Sequence, residues 1–452
     1  MKAFITLSLL LFSFHVFAQD SVAVIAVGNA EQDKDKFVID DSELKSLSGN
    51  QKRLALELND ILRNDFIFYK HKFNSVDYSE KGKDSFSKPD LEKWQSGGIN
   101  YFVASEISSS GSGIEAKYKV WSVSGKKEIF SESVKLTESN LRNMAHHLAD
   151  KMYRAMTGKP SIFNSKIVFV SDRTTRGRDV EKELYIMDFD GRRVEKLTNF
   201  NSVVISPAVA PDNSKIIFSL IAPHKEKVNG RIINTKNIDL KAMDLSTRKI
   251  TTISDKPGIN SGAIFNHTGD KLYLTLSYTG NADIYEMKLS DHSLRKVTSH
   301  YSDDVDPSIN KDGNLMTFLS NRPGRAHVYT MDPSQTEKDV KRISFVGQFN
   351  AAPRFSPDGK EIVFTSWVDN GFDLYRIDAQ GSNLYRLTKN FGSNEEALFS
   401  PDGEFIVFTS KKVTSGKAIQ DIYLMNREGE ILGQLTQDFG RCFSPQWTNI
   451  LK

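Results

Sequence analysis

From Ser165 to its end the chain repeats a short pattern with a period in the forties, and few folds accept that. Phe355-Ser-Pro-Asp-Gly-Lys360 leads into Ile362-Val-Phe-Thr-Ser366, and Phe399-Ser-Pro-Asp-Gly-Glu404 into Ile406-Val-Phe-Thr-Ser410. Ala210-Pro-Asp-Asn213 leads into Ile216-Ile-Phe-Ser219 in the same way, and weaker copies stand at Asn266–Gly269 and Asn310–Gly313, each followed by an apolar run. Asp-Gly or Asn at the turn tolerates the positive φ of a tight hairpin. Taking Asn213, Gly269, Gly313, Gly359 and Gly403 as anchors, the intervals are 56, 44, 46 and 44. A second motif recurs at a fixed delay: Leu184-Tyr185, Ile284-Tyr285, Val328-Tyr329, Leu374-Tyr375 and Ile422-Tyr423, three of them preceded by Asp283, Asp373 or Asp421. A third, such as Leu387-Thr388 or Leu435-Thr436, closes the unit. Several strands per unit at this period predict a β-propeller. Solenoids of helices lack this periodicity, and β-helices repeat much faster.

Ring closure is legible too. Lys166–Val170 starts a unit with no leading strand, and Cys442-Phe-Ser-Pro-Gln-Trp447 is a leading strand with no unit after it. Joined, they complete a sixth blade and remove the exposed sheet edges. The expected architecture is multidomain, α+β and all-β: a small N-terminal α+β domain, then a six-bladed β-propeller with four-stranded blades. The blade holding Ile238-Asp239 departs from the pattern after an insertion, Ala222–Thr235.

Before the repeats, Ser21–Val27, Tyr101–Ile107, Ala116–Val123 and Lys127–Val134 read as strands. Ser42–Asn64 reads as a helix through its leucine spacing, and a second helix runs from a Thr137 cap to Met156, ended by Gly158 and Pro160. Lys2, the apolar run Ala3–Phe17 and the small Ala18 form an export signal too short to span a bilayer, with Gln19 the expected mature start. The expected boundaries are a signal peptide over 1–18, an α+β domain over 19–158, a linker over 159–164 and the propeller over 165–452.

Composition removes several functions. Lys and Arg number 60 against 57 Asp and Glu, a net +3, too balanced for nucleic-acid binding through a broad basic face. A single cysteine, Cys442, forbids an intrachain disulfide and a multi-cysteine metal site. No serine-hydrolase elbow, P-loop or dinucleotide fingerprint occurs. The adjacent His146-His147 pair lacks the i, i+4 spacing of helical metal ligands and reads as helix surface with one ring half-buried. No metal or cofactor is expected, and the mature chain holds no long apolar run to embed it in a membrane.

Blade geometry gathers the loops entering the innermost strands at one mouth of the channel. Asp303, Asp304, Val305 and Asp306, then Asn350, Glu395, Glu396 and Arg441, fall there, together with Ile259, Asn260 and Gly262. Such a patch suits a partner's basic or N–H groups. The arginine-bearing loops Arg173–Arg178 and Arg322–Arg325 are expected to project radially outward and matter less. A hydrolase is the competing class: Asp306 and Glu396 are conceivable as the carboxylate pair of a glycoside hydrolase. A third is a scaffold for another envelope protein.

The whole mature chain resembles the TolB family of the Tol-Pal system. The signal, the α+β domain and the F-S-P-D-G repeats occur in the family's order, with Met156-Thr-Gly-Lys159, Lys166–Val170, Leu184–Gly191 and Phe443-Ser-Pro-Gln-Trp447. The resemblance implies a non-enzymatic periplasmic protein. It would bind the peptidoglycan-associated lipoprotein, Pal, across one channel mouth, and TolA through an N-terminal extension, in outer-membrane constriction at division and in envelope integrity. It places Pal contacts at Ile259, Gly262, Val305 and Asp306; Ile259 and Val305 are apolar where the family is usually polar. The extension, Gln19-Asp20-Ser21, is much shorter than in the family.

Overall fold

The computed structural model describes residues 34–40, 47–76, 84–228, 231–414 and 416–450. The expected signal peptide, the strand Ser21–Val27 and the N-terminal extension lie outside them. The N-terminal α+β region runs β1 (Asp35–Asp40), α1 (Gly49–Phe68), β2 (Phe73–Ser75), α2 (Leu91–Ser96), β3 (Tyr101–Ser110), β4 (Gly113–Ser122), β5 (Lys127–Leu136) and α3 (Leu141–Thr157). The sheet order is β2-β1-β3-β4-β5, with β1 parallel to both its neighbours. Strand alternation sends Phe37, Ile39 and Val103 toward α1 and α3, where Leu54, Leu58, Leu62 and Phe66 meet Leu148, Met152 and Tyr153. Val38, Phe102 and Ala104 point to the other face, where Trp94 of α2 stacks on Phe102 at 4.7 Å.

Three sequence expectations change here. The central strand β1 and the helix α2 went unread, because Asp-Lys-Asp-Lys precedes Phe37 and one turn of helix carries little periodicity. Helix α1 starts at a Ser48–Gln51 capping box and ends at Phe68. Helix α3 is N-capped by Asn140, not Thr137, whose N–H donates to the Asn140 side chain at 2.7 Å.

The described residues of the repeat region form six four-stranded antiparallel sheets arranged as blades. The first blade joins Cys442–Trp447 to Lys166–Ser171, Glu183–Asp188 and Glu195–Lys196, pairing Phe443 with Val170 and Trp447 with Ile167. The second holds Val203–Val209, Lys215–Val228, Arg231–Asp244 and Ile250–Ser254; the third Asn260–Phe265, Lys271–Leu276, Asp283–Lys288 and Leu294–Lys296. The fourth holds Asp304–Ile309, Met316–Ser320, His327–Asp332 and Lys338–Arg342. Asn350–Phe355, Glu361–Val368, Gly371–Asp378 and Tyr385–Arg386 make the fifth, and Ser393–Phe399, Phe405–Thr414, Lys417–Asn426 and Ile431–Gln434 the sixth.

The repeated residues are mostly latches. In the fifth blade the Ser356 hydroxyl donates to Asp358 at 2.6 Å and accepts from the Glu361 N–H, fixing the turn in which Gly359 has φ 71°. The Leu374 N–H donates to Thr388, whose hydroxyl donates to Asp373 at 2.8 Å; Ile422, Thr436 and Asp421 repeat this in the sixth. In these two blades the Asp before the Leu-Tyr or Ile-Tyr pair therefore ties the third strand to the link leaving the blade.

One turn does further work. The Tyr69 hydroxyl, fully buried, donates to Asp402 at 2.5 Å and accepts from the Ile162 N–H, while Lys72 pairs with Glu404 at 2.5 Å. Arg142 of α3 pairs with Asp188 and Asp190 of the first blade. The α+β region thus docks on the end of the ring that carries the Asp-Gly turns.

Candidate functional site

Each inner strand carries a bulge where pairing with the second strand slips. One residue per bulge adopts a positive φ: Ser206 at 50°, Gly262 at 61°, Asp306 at 56°, Ala352 at 47°, Glu396 at 56° and Ser444 at 47°. Five of the six are not glycine, so a sparsely populated backbone state recurs around the ring. All six line one central cavity of about 360 Å³, together with Ile259, Val305 and Arg354. It lies toward the end opposite the α+β region, where the links enter the inner strands.

The charges inside are paired in separate places. Arg354 donates to Asp306 Oδ1 at 2.7 Å, and the Asp306 N–H donates to Thr275. Glu396 accepts from the Ser444 N–H at 2.6 Å and the Ser444 hydroxyl at 2.7 Å. Two carboxylates against one guanidinium leave the cavity net negative. The neighbouring Glu395 carboxyl group makes no hydrogen bond or ion pair among the described residues, although its main-chain carbonyl accepts from the Thr409 hydroxyl. Burial, then the charge of Glu396, push its carboxyl up to about 7 against the pull of Lys411. Asp306 and Glu396, the pair a glycoside hydrolase would need, are each engaged by donors of their own, an arrangement suited to anchoring.

The residues singled out in the sequence divide three ways. Ile259, Gly262, Val305, Asp306 and Glu396 line the cavity. Asp303 borders an adjoining recess with Ile259 and Val305, Glu395 is half-buried, and Arg441 is exposed but paired with Asp172 at 2.6 Å. Asn260, Asp304 and Asn350 are wholly buried and hold the blades together. The Asn260 amide donates to the carbonyls of Ile238 and Lys256, Asn350 joins Ser344 to Ser366, and Asp304 takes Arg322 at 2.8 Å. Arg322 therefore does not project outward as expected: it reaches inward to a buried carboxylate. Of the His146-His147 pair, expected on a helix surface with one ring half-buried, His147 is half-buried and His146 is enclosed, its Nδ1 2.8 Å from Asp65. It comes near Asp188 and Asp190, but Arg142, Arg193 and Lys166 already engage those carboxylates.

Sequence reading placed Ala352 at the mouth through the link Asn350–Ala352, but missed Ser206, Ser444 and Arg354 in the cavity. It also missed Tyr301 and Phe345, 84% and 75% exposed on the links into the fourth and fifth blades. Ser206, Asp306, Ala352 and Ser444 each precede a proline on an inner strand, a signal that could have found them.

Residues 153–351 and 338–449 match the PD40 family, described as the TolB beta propeller domain. The chain belongs to the TolB family. A curated TolB homolog from Chlorobium luteolum is 30% identical over 355 residues, covering 78% of this chain and 76% of the relative. A second, from Chlorobium chlorochromatii, is 31% identical over 226 residues, half of this chain and 47% of that relative. The crystal structure of TolB from Acinetobacter baumannii has the same fold: the TM-score is 0.73 at 24% identity, over 92% of this chain and 97% of that one. The α+β region and ring described above are thus the TolB architecture, and no helix among the described residues is long and apolar enough to cross a membrane.

Proposed function

We propose that this protein is a non-enzymatic, periplasmic docking component of a Tol-Pal system, whose channel mouth receives the peptidoglycan-associated lipoprotein. Through its N-terminal segment it would link that lipoprotein to TolA, serving outer-membrane constriction at division and envelope integrity. The observation that carries this reading is the ring of six positive-φ residues around a negative cavity, with Ile259 and Val305 at its edge. Strained backbone gathers where a surface is shaped for a ligand. A small apolar and acidic concavity accepts a loop offering N–H or basic groups. Tyr301 and Phe345 at the same end supply exposed aromatic area of the kind that dominates interface energetics.

Calorimetric titration with Pal from the same organism tests it. Gly262→Phe should abolish docking: a Cβ there sits 3.5 Å from the Asp306 Cα, at a φ of +61°. Asp306→Asn should weaken binding by about 1–3 kcal/mol if the carboxylate meets a buried donor. Asp312→Asn, on an exposed turn at the opposite mouth, should leave affinity unchanged. Wild-type affinity in both mouth variants, with melting curves showing them folded, would refute the assignment.

A further inference from the structure

The link into each inner strand and the link between the second and third strands emerge at the same end of an antiparallel blade. Two of the latter links are long hairpins. In the second blade the pairing of the two middle strands continues past Ile221, where the inner strand stops, out to Val228 opposite Arg231. Seven further residues on a strand make a ribbon about 23 Å long, and the insertion Ala222–Thr235 is this ribbon. In the sixth blade Lys412–Thr414 pair with Lys417–Ile419 beyond the last inner-strand partner, Ser393. The first blade lies between these two and carries the loop Asp172–Lys182.

Charge collects on these three neighbours. The sequence 222–238 holds four Lys or Arg and one acid, 411–420 holds three Lys and no acid, and 172–182 holds four basic residues against three acidic ones. The matching links of the third, fourth and fifth blades add a single net positive charge between them. A chain with an overall charge of +3 therefore concentrates its excess on one half of one end.

The tip of the sixth-blade hairpin shows what this charge faces. Lys412 folds back over the Phe391 and Tyr423 rings, 3.8 and 4.5 Å from their centres. Lys411 and Lys417 are exposed and form no ion pair among the described residues. Beside them Val413 is 73% and Ile419 42% exposed. Arg176 and Arg178 of the first blade are likewise exposed and form no ion pair among the described residues, with Val180 43% exposed and Asp179 as their exposed acidic neighbour.

We propose that this sector is a bilayer-contact surface, which adsorbs to anionic phospholipid through Lys411, Lys417, Arg176 and Arg178 and inserts Val413 and Ile419 at the interface. A soluble polyanion would use the cations and gain nothing from the apolar tips. A headgroup layer over acyl chains uses both. The inference stands apart from the docking of Pal, since it concerns hairpins beside the mouth and needs no partner protein.

Flotation of the purified protein with vesicles tests it. Binding is expected to phosphatidylcholine vesicles containing phosphatidylglycerol, to fall with added salt, and to be absent with phosphatidylcholine alone. K411A/K417A should bind roughly 30-fold more weakly, at about fivefold for each charge removed. Insertion has its own readout: in V413C the only other cysteine is the buried Cys442, so an environment-sensitive fluorophore can be placed at the tip. Its emission should shift to the blue on anionic vesicles. Equal binding to both vesicle types, undiminished binding of K411A/K417A, an unshifted fluorophore, or binding to polyglutamate without binding to vesicles would each overturn the proposal.

Discussion

Asn260 and Gly262 are two residues apart, yet one is sealed inside the ring and the other faces the channel. The bulge decides this: with its extra residue in positive φ, the inner strand turns one backbone position toward the axis and buries the amide before it. Glu395 shows the same closeness of roles. Its folded value, about 7 against an ordinary 4.5, means that the native state holds a proton the unfolded chain has lost. The stability tied to the protonated form is complete below the ordinary value and disappears as pH rises through the folded one. Glu395→Gln, which mimics that form, should melt above the wild type at pH 8 and with it at pH 4.5. Thermal melts across this range decide it, and a variant less stable at pH 8 would show that the carboxylate is favourably solvated.

At the scale of elements, the blade is held by its turns and latches while the ring is held by one strand. Cys442–Trp447 supplies the inner strand of the first blade, and Ser171 donates from that blade to the Phe439 carbonyl at 2.7 Å. Ending the chain at Gly440 removes this ladder and uncovers apolar faces of the first and sixth blades. A loss above about 4 kcal/mol or outright aggregation is expected. Trp447→Ala, at a side chain only 7% exposed, keeps the strand and should cost about 3–5 kcal/mol. Denaturant unfolding measures both; a truncated chain as stable as the whole would mean that closure does not depend on the C-terminal strand. The repeat made these elements readable, because turn chemistry and strand alternation act over a few residues. β1 and α2 escaped for the converse reason: each is short and is held by neighbours distant in sequence.

The whole molecule is joined by contacts that no local pattern announces. Burial pushes the Glu404 carboxyl up, but His71 and Lys72 outweigh it and hold the group near 2, against an ordinary 4.5. A depressed value stabilises the fold above the ordinary one, and that contribution is lost as pH falls from there toward 2. Glu404→Gln should therefore melt lower than the wild type at pH 7 and lose less on acidification, as calorimetry between pH 7 and 2 can show; parallel curves would remove the interface from acid sensitivity. From residue order alone came the propeller, its six blades and the closing strand, since each rests on turns and alternation within some ten residues. The three-dimensional packing chose which Asp-Gly turn meets Tyr69, although Asp358 and Asp402 stand in the same five-residue motif. It also chose which polar residues at the mouth would be spent inside. Those choices rest on pairs such as Tyr69 with Asp402 or Arg354 with Asp306, whose energies exist only once chain segments remote in sequence have been brought within hydrogen-bonding reach.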